Sequence, residues 1–249
     1  MFFHENWPVF YEDNHLLVLY KPAGLIMQRD HKNKANLLDL TKLWIKVRCS
    51  KPGNVFAGMV HRLDGPVAGV VVVARTSKAA SRLSAQFRHG RIEKHYLAVV
   101  EGRPPKDGER LENFMVRDGR LSRIVNQDTP GAQKAVLHYR SRADLENRSL
   151  LGITLETGRR HQIRLQLSHL GCPIVGDVNY GAPAAMAHGR IALLAHRLCF
   201  DHPTRRIRMQ FETPVPRGWP WSPEAQSDNE LRPLWTIEEY EQAGLVLPE

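Results

Sequence analysis

The chain reads as an α+β protein, a mixed and mainly antiparallel β-sheet with helices packed outside it. Three observations carry this reading. Strand-like segments outnumber helical ones and follow each other with few helices between, which favours antiparallel neighbours. The stretch "VAGVVVVAR" (67–75) is too apolar for a strand with one wet face, so it belongs at the centre of a sheet covered on both sides. "EKHYLAVVEG" (93–102) alternates, placing Lys94, Tyr96, Ala98 and Val100 on one face and His95, Leu97 and Val99 on the other.

The remaining elements follow in chain order. "HLLVLYKPAG" (15–24) is a short buried strand closed by a Pro-Ala-Gly turn. "NLLDLTKLWIKVRC" (36–49) predicts a helix capped by Asn36, with Asp39 three residues on and Leu37, Leu40, Trp44 and Val47 on one face. A second helix starts at Ser77, with Ala80, Leu83 and Phe87 facing inward and Gly90 as its stop. "RDGR" (117–120) is a hairpin turn, and "QKAVLHYR" (133–140) and "LLGITLETG" (150–158) are further strands. In "GRRHQIRLQLSHLG" (158–171) the period changes to that of a helix: Thr157 is its expected cap, Ile163, Leu167 and Leu170 its apolar face, and Gly171 its end. "IALLAHRLCF" (191–200) and "RIRMQFETP" (206–214) complete the strands. A tail from about Pro214, rich in Pro and Trp, holds one short helix capped by Thr236 and Glu239. No linker divides the sequence, so one domain over 1–249 is expected, with a core at about 9–214 and a tail at 215–249.

Composition narrows the function. With 249 residues, 42% hydrophobic and 24% charged, the chain buries a sizeable core and is ordinary for a soluble globular protein. The 35 Lys and Arg against 26 acids leave a formal charge of +9, which favours a polyanionic partner. Cys49, Cys172 and Cys199 are odd in number and widely spaced, as expected of reduced thiols in a cytosolic protein. No apolar run approaches a membrane span, and "MFFHENWPVF" lacks the basic-then-apolar order of a secretory signal, so a cytoplasmic location is expected.

Motifs exclude further classes. The 12 histidines never form an HExxH pair or a Cys/His grid, so no metal is expected. There is no GxSxG elbow, no GxGxxG and no GxxxxGK[ST] loop, which removes serine-nucleophile chemistry and nucleotide cofactors. A carboxylate at a strand end (Asp64), a tyrosine on a strand face (Tyr96) and an arginine on a helix (Arg164) remain; singly, each reads as a turn residue, a packing group and a solvated charge.

In order, "HRLDGPVAGVVVVART" (61–76), "EKHYLAVVEG" and "TGRRHQIRLQLSHLGCPIVGDVNYG" (157–181) resemble the three motifs of the RluA-type RNA pseudouridine synthases. "VLYKPAGLIM" (18–27) and "LLAHRLCFDHP" (193–203) are similar to that family's opening and late strands. The resemblance implies the family's fold with a central active-site cleft, an isomerase of uridines in rRNA or tRNA, and no cofactor or metal. It implies Asp64 as the catalytic carboxylate, Arg62 as the residue displacing the target nucleotide, Tyr96 against the uracil ring and Arg164 paired with Asp64. Lys94 and Leu193 join Arg62 as substrate-binding expectations.

A carboxylate suits this reaction, because C1′ becomes electron-poor as its bond to N1 breaks. Attack on C1′ and removal of a sugar proton both remain open. An adjacent arginine keeps the acid ionised at neutral pH. The base must first leave its stack at a cost of a few kcal/mol, and aromatic stacking returns about 1–3 kcal/mol.

Two departures from the family pattern stand out. Val67 and Ala68 replace a Thr-Ser pair before Gly69, and Leu194 replaces a histidine. They suggest a second reading, an RNA-binding relative with impaired catalysis, which intact Asp64, Tyr96 and Arg164 oppose. A base-releasing N-glycosidase is a third. No separate N-terminal RNA-binding module of the S4 type is expected, so RNA affinity falls to the domain's own surface. Arg88, His89 and Arg91 end one helix, Arg159 and Arg160 open another, and both groups are expected to track the RNA backbone. RNA rather than DNA is the expected polymer, and a monomer the simplest state.

Overall fold

The computed structural model describes residues 7–29, 36–221 and 233–244. Its elements run β1 (Val9–Glu12), β2 (Leu16–Lys21), α1 (Leu37–Arg48), β3 (Gly58–Met59), β4 (Ala68–Ala74), α2 (Ser77–Arg88), β5 (Glu93–Glu101) and β6 (Gly108–Asp118). They continue with β7 (Leu121–Val125), β8 (Gln133–Leu145), β9 (Arg148–Leu155), α3 (Gln162–His169), β10 (Leu193–Asp201), β11 (Arg208–Glu212) and α4 (Ile237–Gln242). Strands dominate, pair mainly antiparallel and are accompanied by few helices, the expected α+β class. Contacts divide the chain into two compact units, residues 1–92 with 195–249, and residues 93–194.

In the first unit β4 lies between β2 and β10, and all seven of its residues are buried, as its unbroken apolar run requires. β2 runs antiparallel to it from Leu16 opposite Ala74 to Lys21 opposite Gly69. Leu16, Val18, Val70, Val72, Leu198 and Phe200 pack against Ala79 and Leu83 of α2. Thr76 caps α2 by accepting from the Ala79 N–H. Gly69 has φ +138°, and a Cβ there would sit 2.3 Å from the Ala195 carbonyl oxygen, so this approach admits glycine alone.

Part of the expected tail packs on this unit. The Ala23 N–H donates to the Trp235 carbonyl at 2.8 Å, and the Ile237 N–H donates to the Ala23 carbonyl at 2.9 Å. Trp235 and Tyr240 are buried, the Tyr240 ring lies 4.4 Å from Trp7, and Thr236 and Glu239 form the expected capping box. Residues 222–232 and 245–249 of that tail, and residues 1–6 of the opening segment, lie outside the described residues.

Helix α1 has its Asn36 cap but a different buried face. Leu37, Leu40, Thr41 and Ile45 point inward, while Val47, expected inside, is 51% exposed. The Thr41 hydroxyl donates to the Leu37 carbonyl at 2.7 Å, which satisfies it within the helix and lets it be buried. The periodicity was shared by two overlapping faces, and packing chose the other one.

The second unit is an antiparallel sheet in the order β5-β9-β8-β6-β7. Tyr96 pairs with Ile153 across β5 and β9, and Tyr139 with Ile153 across β8 and β9. The "RDGR" turn is a two-residue hairpin in which Asp118 faces Leu121 and Gly119 takes φ +55°.

Helix α3 begins later than its cap signal suggested. Thr157 does not cap it: its hydroxyl accepts from the Val136 N–H and donates to Gln162 Oε1, tying the loop to β8. His161, in the left-handed region at φ +54°, is the N-cap and makes no side-chain cap bond. Arg159 and Arg160 therefore precede the helix instead of opening it.

Candidate active site

The first unit holds Asp64, Arg62, Arg88 and Arg91. Asp64 is half-buried in the turn that leads into β4, and its carbonyl accepts from the Val67 N–H at 3.0 Å. Arg62 in the same turn is exposed. His61 fixes the start of the turn, accepting from the Val72 N–H at 3.0 Å and stacking on Phe87 with ring centroids 4.9 Å apart.

The "YKPAG" turn laces this loop from below. Lys21 is fully buried and donates to the carbonyls of Pro22 (3.0 Å), Gly65 (3.1 Å) and Val67 (2.7 Å), one for each N–H of an ammonium. The Gly24 N–H adds a bond to the Gly65 carbonyl at 2.9 Å. Burial pulls Lys21 down to about 7, and the charge of Asp64 opposes that fall. A buried cation therefore faces the proposed catalytic carboxylate and clamps the backbone on either side of Pro66. Val67 and Ala68, at the departures from the family pattern, are both fully buried, where a hydroxyl would need a partner of its own.

The second unit holds Tyr96, Lys94, Arg164, Leu193, Arg159 and Arg160. Tyr96 is half-buried on β5, and Leu193 is buried at the start of β10. Lys94 Nζ donates to the Thr157 carbonyl at 3.3 Å, and burial together with the charge of Arg159 lowers its pKa. Arg159 donates from Nε to the Lys134 carbonyl at 2.9 Å, and Arg160 from Nη2 to the Arg120 carbonyl at 2.7 Å. Two neighbours that precede α3 are thus anchored apart, one to β8 and the other to the β6–β7 turn.

Arg164 is held by groups the motif reading did not single out. It is 4% exposed, and its guanidinium donates to both carboxylate oxygens of buried Asp177, Nε at 2.6 Å and Nη2 at 2.7 Å. Its Cζ sits 4.9 Å over the Tyr180 ring, a cation–π contact. The Tyr180 hydroxyl accepts from the Ser122 N–H at 2.9 Å and bonds His161 Nδ1 at 2.8 Å. Gln162 and Gln166 root the helix in the sheet, donating to the carbonyls of Val136 and Ala135. One planar cation is thereby fixed by a bidentate carboxylate and an aromatic face, a geometry lysine could not reproduce.

Asp177 and Tyr180 lie in "GDVNYG", and Lys21 in "YKPAG"; both segments are readable as motifs, but no local pattern says which side chain turns inward. Arg88 and Arg91 are exposed at the end of α2, where the sequence placed them. Among the described residues no helix is long and apolar enough to cross a membrane.

Comparison with known proteins bears on the family and the fold. The family model for RNA pseudouridylate synthases matches residues 15–169. A ribosomal large subunit pseudouridine synthase D of Zymomonas mobilis is 35% identical over 221 residues, 84% of this chain and 69% of that protein. Its counterpart in Pseudomonas aeruginosa is 34% identical over 228 residues, 86% of this chain and 69% of that protein. The human RNA pseudouridylate synthase domain containing 4 structure superposes with a TM-score of 0.72 at 23% identity, over 84% of this chain and 89% of that chain. The human domain containing 1 structure gives 0.63 at 24% identity, over 98% and 97%, and the two likenesses show the shared fold. A family model that matches more than half of the chain and relatives of this closeness lead to one assignment: this chain belongs to the RNA pseudouridylate synthase family, the isomerases that convert uridine in RNA to pseudouridine.

Proposed function

We propose that this chain isomerises a uridine in structured ribosomal RNA, with Asp64 as the catalytic carboxylate. The observation that carries the role of Asp64 is its turn, whose flanking carbonyls are gripped by the buried Lys21 ammonium. A carboxylate so held stays in place while its substrate is detached, rotated and rejoined. The C1′–N1 bond breaks, C1′ joins C5, and the proton on C5 is lost as N1 gains one. The reaction is redox-neutral and needs no added cofactor.

Tyr96 supplies the ring that stacks on uracil, worth about 1–3 kcal/mol. Arg62, exposed beside Asp64, fills the space the flipped nucleotide leaves. Arg164 is the proposed partner of the Asp64 carboxylate. Lys94 and Leu193 bind the substrate, and Arg88, Arg91, Arg159 and Arg160 follow the phosphates. The ribosomal substrate rests on what the relatives' names record, and action as a cytoplasmic monomer on RNA rather than DNA belongs to the same proposal.

Asp64→Asn tests the assignment directly. The amide keeps the shape of the acid but neither attacks C1′ nor takes a proton. It should abolish pseudouridine formation, read by mass spectrometry of digested RNA, while the affinity for that RNA stays within about twofold of wild type, since no phosphate contact is lost. Turnover by this variant would overturn the role. Free uracil among the products would indicate a glycosidase instead.

A further inference from the structure

A second basic element lies outside the motifs, in the turn between β10 and β11. His202 organises it. The ring is completely buried, and its Nε2 bonds the carboxylate of Asp13 at 2.8 Å. Its Nδ1 faces the Thr204 N–H (3.3 Å) and hydroxyl (3.2 Å) and the Arg205 N–H (3.0 Å), so the ring gathers the turn around itself. The turn is also closed by its own backbone, the His202 N–H donating to the Ile207 carbonyl and the Arg206 N–H to the His202 carbonyl.

Helix α2 fastens the same turn from the side. Arg82 Nη1 donates to the Pro203 carbonyl at 2.8 Å, and the Gln86 side chain bonds both the N–H and the carbonyl of Asp201. Arg208 Nη1 reaches the Arg91 carbonyl at 3.1 Å, joining the far side of the turn to the segment just after α2. Arg205, Arg206 and Arg208 are thus presented by a braced turn beside Arg82 and Arg91, and all five are exposed.

The nearby acids reach two of the three turn arginines. Asp13 already accepts from Tyr11, from two backbone N–H groups and from His202, and Arg205 comes only to 4.0 Å of it. Asp201 lies 3.4 Å from Arg208. Arg206 makes no ion pair among the described residues. It also occupies the left-handed region at φ +60°, where an arginine is disfavoured and a glycine is at ease. The fold therefore presents an exposed guanidinium, unpaired among the described residues, from a backbone conformation that local preference does not explain.

We propose that the 202–208 turn is a phosphate-contacting element that, with Arg82 and Arg91, forms one basic strip for the sugar-phosphate backbone of an RNA stem. The inference rests on the reading of the chain as an RNA isomerase. It adds a contact surface that none of the motif residues supplies. Guanidinium groups fixed on a braced scaffold give up little freedom when they meet phosphates, which favours a defined path over diffuse attraction.

The test is binding of a uridine-containing RNA stem-loop by fluorescence anisotropy across a salt series, for wild type, Arg206→Gly and Arg205→Ala. Each substitution should weaken binding and flatten the slope of log affinity against log salt by about 0.7–0.9. Arg206→Gly should keep or raise the melting temperature, because glycine suits the turn, so lost affinity cannot be a folding defect. Arg103→Ala, at an exposed arginine just after β5 in the second unit, is the charge-matched control. An unchanged slope in both turn variants, or an equal fall in the control, overturns the strip. Pseudouridine is assayed in the same samples. RNA binding without product, with the slope still lowered by the turn variants, overturns the isomerase reading and supports the strip, whereas product with an unchanged slope does the reverse.

Discussion

Lys21 sits in an environment far removed from its chemistry in water. A lysine folded into a dry site is disfavoured as a cation, and burial brings this one to about 7 despite the charge of Asp64. The direction of the pH effect follows. Below about pH 7 folded and unfolded chains both carry the proton, and the full cost of burying the charge is present. Between about 7 and the usual lysine range the unfolded chain holds a proton the folded chain has released, so stability rises with pH. The stability difference between wild type and Lys21→Met, from urea midpoints at pH 7 and pH 9, should therefore grow towards pH 9. A constant difference would place the lysine's titration outside this window. Taking the difference cancels other groups that titrate there, among them Cys172, whose thiol burial pushes up.

At the scale of the element, the contact between β4 and β10 depends on one atom that is missing. Gly69 combines φ +138° with a backbone approach that leaves a Cβ 2.3 Å from the Ala195 oxygen. Both terms oppose any side chain, and neither is relieved by a rotamer change, because the clash is with main chain. Gly69→Ala should destabilise the protein by about 3 kcal/mol or more, the sum of an overpacking and a backbone-strain cost. Chemical denaturation measures it, and a loss below about 1 kcal/mol would mean that β10 moves aside at little cost. The same glycine stands five residues after Asp64, so the strand that fixes the turn and the strand that crowds it are positioned together.

For the whole molecule, the formal charge of +9 matters through its placement. Arg159 and Arg160 are anchored by one backbone bond each, to the Lys134 and Arg120 carbonyls, which holds them without neutralising their charge. Replacing either with alanine should weaken binding to unrelated RNA sequences alike and reduce the salt slope by about 0.7–0.9, because such contacts carry no base information. Filter binding with two unrelated stem-loops would check it; a loss confined to one sequence would make the residue a reader of bases.

Local chemistry alone determined a large part of this protein. An uninterrupted apolar run can only be a strand covered on both faces, so β4 was legible at Ala68–Ala74; a two-residue Gly-containing turn fixes a hairpin, and Thr236 with Glu239 makes a capping box wherever it stands. The motif residues were legible because each segment has a recognisable order, and the family membership they implied agrees with the comparisons. Tertiary structure decided what local order leaves degenerate. The periodicity of α1 allowed two faces, and packing chose the one with Thr41 and Ile45. Thr157 had the composition of a cap, but a strand N–H and the amide of Gln162 competed for its hydroxyl and won. Nothing local marks Lys21 and Asp177 as buried charges, because a charged side chain is costly to bury unless other elements receive it. The carbonyls of Gly65 and Val67 lie 44 and 46 residues from Lys21, and the guanidinium of Arg164 stands on a separate element 13 residues from Asp177, so each partner comes within reach only once the chain has folded.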